Sequence, residues 1–269
     1  MSARPRREGP LIVRVPSLTP ALAGVALLAP AALHVPTALN APAELHHPAA
    51  LHDPAARHHP AAVAPPRDRP AAAGRSAVAA TELLARLGEC HQISRGRYRT
   101  DAARPATVPV CGTRDAVFWK ADLDIDCDGR STARCNRRTD PQFATMTAYQ
   151  QSDGRHLNAA ALPYIVVPAP SRIWNPRKHG VRGGSVAAVV YRGRVQYAVV
   201  GDTGPRDIIG EASYATARAL GIRANPRSGG VPSGVTYIVF KHSRVRPIED
   251  HMAAAAAGVR LARLFVANR

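Results

Sequence analysis

Two carboxylic acids, Asp202 and Glu211, stand nine residues apart in the segment VQYAVVGDTGPRDIIGEASYATARAL, residues 195–220. The apolar run before Asp202 predicts a buried strand that delivers this acid at its end. Gly201, Gly204 and Pro205 then turn the chain sharply, and Ile208 and Ile209 re-enter the core. Glu211 is expected to open a helix that runs to Leu220 and stops at Gly221. A pair of carboxylates held on rigid elements around a common rim suits general acid–base hydrolysis. In glycoside hydrolysis one acid protonates the leaving oxygen, and the other carboxylate activates water or attacks. The same residues also admit structural roles, with Asp202 capping its turn and Glu211 stabilised at a helix N-terminus.

A second acidic feature is Asp122-Leu-Asp-Ile-Asp-Cys-Asp128. On a strand, the period of two sends Asp122, Asp124, Asp126 and Asp128 to one face and Leu123, Ile125 and Cys127 to the other. Such a row suits a cationic substrate. Two other readings compete. Asp124-x-Asp126-x-Asp128-Gly129 looks like the start of a calcium loop, although the position that needs a bidentate Glu holds Cys135. Alternatively, the aspartates pair with neighbouring arginines.

Other reactive side chains are less organised. Cys90, Cys111, Cys127 and Cys135 contain no C-x-x-C pair, which favours two disulfides over a zinc site and leaves three connectivities open. His156, His179, His242 and His251 have no metal-ligand spacing, and Ser213 lacks the context of a serine nucleophile. Trp119, Tyr164, Trp174 and Tyr214 are aromatics near these motifs, available either as sugar platforms or as core.

The elements that must position these groups occupy only part of the chain. Arg4, Arg6 and Arg7 precede an apolar stretch from Leu18 to Leu33 and small residues at Ala38, Ala41 and Ala43, so residues 1–43 are expected to be an export signal. The tandem LHHPAA, LHDPAA and RHHPAA opens an Ala/Pro/His-rich stretch, expected over 44–76 to be a disordered linker rather than a metal tract. Residues 77–269 are expected to form the catalytic domain. Strands are predicted at 116–120, 164–167, 185–191, 194–201 and 235–240, with a hairpin turn at Arg192-Gly193. Helices are predicted at 81–90, 211–220 and 252–267.

Net charge is +17, of which +13 lies in residues 77–269. A basic chain suggests a polyanion partner, but its 33 arginines are scattered and no nucleic-acid-binding signature accompanies them. No nucleic-acid partner is therefore expected.

Several motifs together resemble glycoside hydrolase family 75, the fungal-type chitosanases. They are FWKADLDIDCDG (118–129), Asp140-Pro141, QSDG (151–154), LPYIVVP (162–168), GDTGPRDIIGEAS (201–213) and VTYIVF (235–240). The resemblance implies that Asp202 and Glu211 are the catalytic pair. It also implies internal cleavage of chitosan with inversion and no cofactor, and no metal is expected. Asp122, Asp124 and Asp126 are then expected to meet the substrate ammonium groups. The segment GDTGP…SYATARALGI is more distantly similar to the double-psi β-barrels of rare lipoprotein A, expansins and family 45 endoglucanases. The fold expected is thus mainly β, a six-stranded double-psi β-barrel-like core with peripheral α-helices. The protein is expected to be secreted, monomeric and not stably membrane-associated after processing. A peptidoglycan or other wall-polysaccharide glycosidase, or a non-catalytic expansin-like carbohydrate-binding module, are the alternatives.

Overall fold

A computed structural model of the chain describes residues 78–268. The export signal and the linker expected at 1–76 lie outside the described residues. In chain order the elements are α1 (Ala80–Leu87), β1 (Cys111–Gly112), β2 (Ala116–Asp126), β3 (Tyr164–Pro168), a 3₁₀ turn (Pro176–His179), β4 (Val186–Tyr191), β5 (Arg194–Gly204), β6 (Glu211–Ser213), α2 (Tyr214–Ala219), β7 (Val231–Phe240) and α3 (His251–Ala267).

The strands run in the order β2-β6-β3-β5-β4-β7, and β7 pairs back onto β2, so six strands close into a barrel with β1 appended beside β2. The pairs β2–β6 and β3–β5 are parallel, while the others around the ring are antiparallel. This is the six-stranded barrel with peripheral helices expected from the sequence. Closure removes the exposed edges that an open sheet would leave.

Strand β4 reads VAAVVY without polar alternation because both of its faces are buried. Ala187, Val189 and Tyr191 join Trp119, Tyr237 and Val239 in the barrel interior. Val186, Ala188 and Val190 pack outward with Leu83 and Leu87 of α1 and Ala254, Ala262 and Phe265 of α3. Alternate burial on two apolar surfaces is what a continuous hydrophobic strand signals. The β4–β5 hairpin turns through Arg192 (φ 45°) and Gly193 (φ 78°), two left-handed residues that match the twist of the strands.

Disulfides join Cys90 to Cys111 and Cys127 to Cys135, resolving the open connectivity. The first ties the segment after α1 to β1. The second staples the loop that leaves β2 directly after the acidic row.

Three local expectations need correction. The strand carrying the acidic row does not stop at Lys120 but continues to Asp126. Asp202 does not end its strand, which continues to Gly204. Glu211 does not open a helix: it lies on β6, paired in parallel with β2, and the helix starts three residues later under the Ser213 cap. Pairing with β2 holds residues 211–213 extended, and tertiary pairing overrides the helical pattern of the sequence.

Candidate active site

Asp202 owes its aim to a β-bulge. Along β5, Ala198 and Val200 point into the barrel, and strict alternation would send Asp202 the same way. Register with β3 shifts at this point: Ile165 partners Val200, but Val166 partners Asp202, leaving Gly201 as the extra residue. Bulges re-aim a side chain by one position, and here Asp202 turns to the face of Val166, which lines a cleft. Gly201 has no room for a side chain, since a Cβ would stand 2.6 Å from the Tyr164 side chain and 2.9 Å from Leu157 Cδ1.

The Asp202 carboxylate is 7% exposed. Its Oδ1 accepts the backbone N–H of Ala148 and of Thr203, both at 2.7 Å. Burial pushes its pKa up, while these two N–H groups and His156 pull it down. Hydrogen bonds to the charged form favour ionisation.

Glu211 reaches the same cleft from β6. A Cβ at Gly204 would come within 3.4 Å of Glu211 Oε2 and 3.1 Å of Val166 Cγ1, so the missing side chain at Gly204 makes room for the carboxyl. Burial, followed by the charges of Asp128, Asp124, Asp202 and Asp140, pushes Glu211 up to about 8.

The cleft has a volume of about 1020 Å³ and is lined by seven acids: Asp101, Asp124, Asp126, Asp128, Asp140, Asp202 and Glu211. Arg227 is the one cation among its lining residues, and its guanidinium donates to the carbonyls of Arg138 and Thr139. Burial and then Glu211 raise Asp126 well above its ordinary value. Burial also raises Asp128, to about 6. Burial beside like charges thus disfavours the simultaneous ionisation of Asp124, Asp126, Asp128 and Glu211.

The row on β2 keeps its period, but its members differ in access. Asp124 and Asp126 line the cleft, and Asp122 is not among its lining residues. Asp122 is 6% exposed and roofed by Gly210, whose missing Cβ would overlap its Oδ1. That oxygen has no hydrogen-bond partner, and burial, then Asp124, pushes the group up to about 8. Among the described residues no group of three or more His, Cys, Asp or Glu is arranged to hold a metal ion, so the calcium-loop reading of 124–129 gains no ligand set. The ion pairs Arg114–Asp115 and Arg155–Asp153 involve other acids than those of the row.

None of the four aromatics singled out in the sequence lines the cleft. Trp119 stacks on Tyr237 inside the barrel at 5.2 Å between centroids, and Trp174 donates its Nε1–H to His179. Tyr164 donates to the Asp128 carbonyl, and Tyr214 bonds Arg134. Sequence reasoning missed three contributors. Asp140 was visible only within its Asp-Pro motif, and Asp101 sits in an arginine-rich loop that gives no signal. The Ala148 N–H is a backbone group, to which side-chain patterns are blind.

Endo-chitosanase C of Aspergillus oryzae is 32% identical over 129 residues, covering 46% of this chain and 31% of that one. An endo-chitosanase of the same species is 33% identical over 138 residues, 47% of this chain and 56% of the other. One from Aspergillus fumigatus is 30% identical over 143 residues, 48% and 60%. The chain thus spans between 31% and 60% of the length of these curated relatives. Among solved structures, Streptomyces papain inhibitor overlaps at a TM-score of 0.29 and 19% identity, covering 46% of this chain and 94% of that one, too low a score to carry an argument. Residues 123–261 match the model of a family described as fungal chitosanase of glycosyl hydrolase group 75, a span that includes Asp124, Asp126, Asp202 and Glu211; the chain belongs to that family.

Proposed function

We propose that this protein is an endo-chitosanase that cuts β-1,4 bonds inside largely deacetylated chitosan with inversion, Glu211 acting as the acid and Asp202 as the base. The observation that carries this reading is a cleft lined by seven carboxyls on a domain of net charge +13. A polymer with one ammonium per deacetylated sugar supplies cations to a cleft whose lining otherwise offers only Arg227. Charge elsewhere on the surface is screened beyond about 8–10 Å, so the local field of the cleft outweighs it.

The environments of the two acids support the division of roles. Glu211, pushed up to about 8, keeps its proton at neutral pH and can give it to the glycosidic oxygen as the bond to C1 breaks. Asp202, bound by two N–H groups, is the better placed to be ionised and to take a proton from the water that attacks C1. Afterwards Glu211 is a carboxylate and Asp202 an acid, and exchange with solvent restores both. Burial raises both groups, but at Asp202 the two N–H donors and His156 offset it, and such a difference between two titratable groups marks the assignment.

Spacing supports inversion. Strands β5 and β6 each pair with β3, so two ladder spacings, roughly 9–10 Å, separate their backbones. Backbones this far apart can seat a water between the two carboxyl groups, which inversion requires at a carboxyl separation of about 6.5–9.5 Å.

The two disulfides support an oxidising, extracellular setting. No helix among the described residues is long and apolar enough to cross a membrane. Release of reducing ends from chitosan, chitin and peptidoglycan tests the reading, with the anomer formed first followed by NMR. Rapid shortening of chitosan with initial α-anomer is expected. Preference for peptidoglycan would make this a different wall glycosidase, and binding without cleavage would make it a non-catalytic module.

A further inference from the structure

The connection between β2 and β3 bends into a small hairpin over residues 147–157. Gln151 N–H donates to the Arg155 carbonyl at 2.8 Å, and Gln150 bridges His156. The Thr147 hydroxyl donates to the Tyr149 carbonyl and accepts the Leu157 N–H. This hairpin holds Asp202 on two sides. Ala148 gives its N–H to the carboxylate, and Leu157, fully buried, packs against Gly201, the bulge residue before Asp202.

His156 stands where the two sides meet. Its Nδ1 lies 3.1 Å from the amide nitrogen of Thr147 and 3.1 Å from the same residue's carbonyl oxygen. An unprotonated Nδ1 accepts the Thr147 N–H, which requires the neutral ring to carry its proton on Nε2. When the ring gains a second proton, Nδ1 becomes a donor, and the Thr147 carbonyl is at hand to accept it. In both states the ring holds Thr147, whose carbonyl shares a peptide unit with the Ala148 N–H.

We propose that His156 is a positioning residue for Asp202: through Nδ1 it fixes the Thr147–Ala148 segment so that the Ala148 N–H stays on the carboxylate. This rests on Asp202 being the base. The cationic ring also favours the ionised carboxylate, in line with its effect on Asp202. Other charged groups around the hairpin are engaged elsewhere. Asp153 and Arg155 pair with each other, Arg130 acts on Asp153, and Glu249, before α3, accepts from Ser152.

The test compares the pH dependence of kcat/KM on chitosan for the parent, His156→Gln and His156→Ala. Removing the positive ring raises the pKa of the base, so the acidic limb should move up by about half a pH unit or more in both variants. A Gln amide oxygen can still accept the Thr147 N–H, so above that limb His156→Gln should keep kcat within about threefold of the parent. His156→Ala loses the anchor and should fall at least about tenfold, with KM changed less than kcat. An acidic limb that stays in place in both variants, with kcat unchanged in His156→Ala, overturns the proposal. Nitrogen-15 NMR of the parent's imidazole tests it without mutation: a hydrogen bond between Nδ1 and the Thr147 backbone is expected, and an Nδ1 with no such bond refutes the geometry. If the parent releases no reducing ends, the base assignment fails instead, and the NMR result still decides whether the ring holds the loop.

Discussion

Asp124 and Glu211 are direct register partners on adjacent parallel strands, so two carboxylates share one rung and one face of the barrel wall. Like charges placed opposite each other are destabilising in a sheet. Here the pair is joined in the same cleft by Asp126, Asp128 and Asp202. Burial favours the protonated form of Asp126 and Glu211 in this arrangement, and on the proposed reading substrate cations take over that task.

A dependence of stability on pH follows. Glu211 and Asp122 are pushed up to about 8, and Asp126 is raised as well, whereas their unfolded values are near 4. Groups raised on folding contribute stability that is complete below the unfolded pKa and lost as pH rises through the folded one. The free protein should therefore melt highest near pH 4 and progressively lower toward about pH 8. Thermal scans at constant ionic strength check this, and a Tm that rises over that interval contradicts it.

Replacement of the proposed catalytic pair separates chemistry from folding. Asp202→Asn and Glu211→Gln should each lower kcat by at least about 10³-fold, within the range that proton transfer by a placed side chain supplies. Glu211→Gln should also melt higher than the parent at pH 8, by on the order of 1–2 kcal/mol, because a buried charge leaves an acidic cluster. Steady-state rates with calorimetry on the same samples provide both readouts. Full activity in either folded variant removes that residue from the mechanism.

The acidic row should divide in two. Asp124 lines the cleft, so Asp124→Asn should raise KM on highly deacetylated chitosan more than on acetylated polymer, with added salt mimicking the change in the parent. Asp122 is buried beneath Gly210, so Asp122→Asn should act on Tm and affect both polymers equally. Matching kinetics for the two variants would mean that burial does not govern their roles.

Two glycines near the pair should respond differently to alanine. At Gly201 the new methyl meets Tyr164 and Leu157 below 3.0 Å, at Gly204 it meets Val166 and Glu211 at 3.1 and 3.4 Å. Gly201→Ala should cost about 1–3 kcal/mol of stability through overpacking and lose activity with the bulge. Gly204→Ala should fold nearly normally and lose kcat by displacing the Glu211 carboxyl. Chemical denaturation beside kinetics distinguishes them, and full activity in Gly204→Ala would show that the contact does not position Glu211.

The sequence made most of the barrel legible because its strands carry continuous apolar runs, as at 186–191, and an Arg-Gly turn that suits a hairpin. It misled at Glu211, where EASYATARAL has a helical pattern throughout but its first three residues are claimed by pairing with β2. It also placed Asp202 at a strand end, when the decisive feature is one unpaired glycine inside the strand. A bulge leaves no mark on hydrophobic period until the partner strand is known. The division between Asp122 and Asp124 was hidden for a similar reason. Their period is the same, and only the return of Gly210 over Asp122 tells them apart.

The ring of strands also has a temporal meaning. Strand β2, which carries Asp124 and Asp126, finds its antiparallel partner in β7, and Tyr237 reaches the Asp122 carbonyl across 115 residues of sequence. Contacts this far apart form late, because the intervening chain must first be gathered. A nascent polypeptide released before Val231 holds both proposed catalytic carboxylates and the whole acidic row, yet lacks the strand that shuts the barrel beneath them. On the proposed reading, a chain that stops short of this strand has the acids but no closed wall to hold them at their working distance.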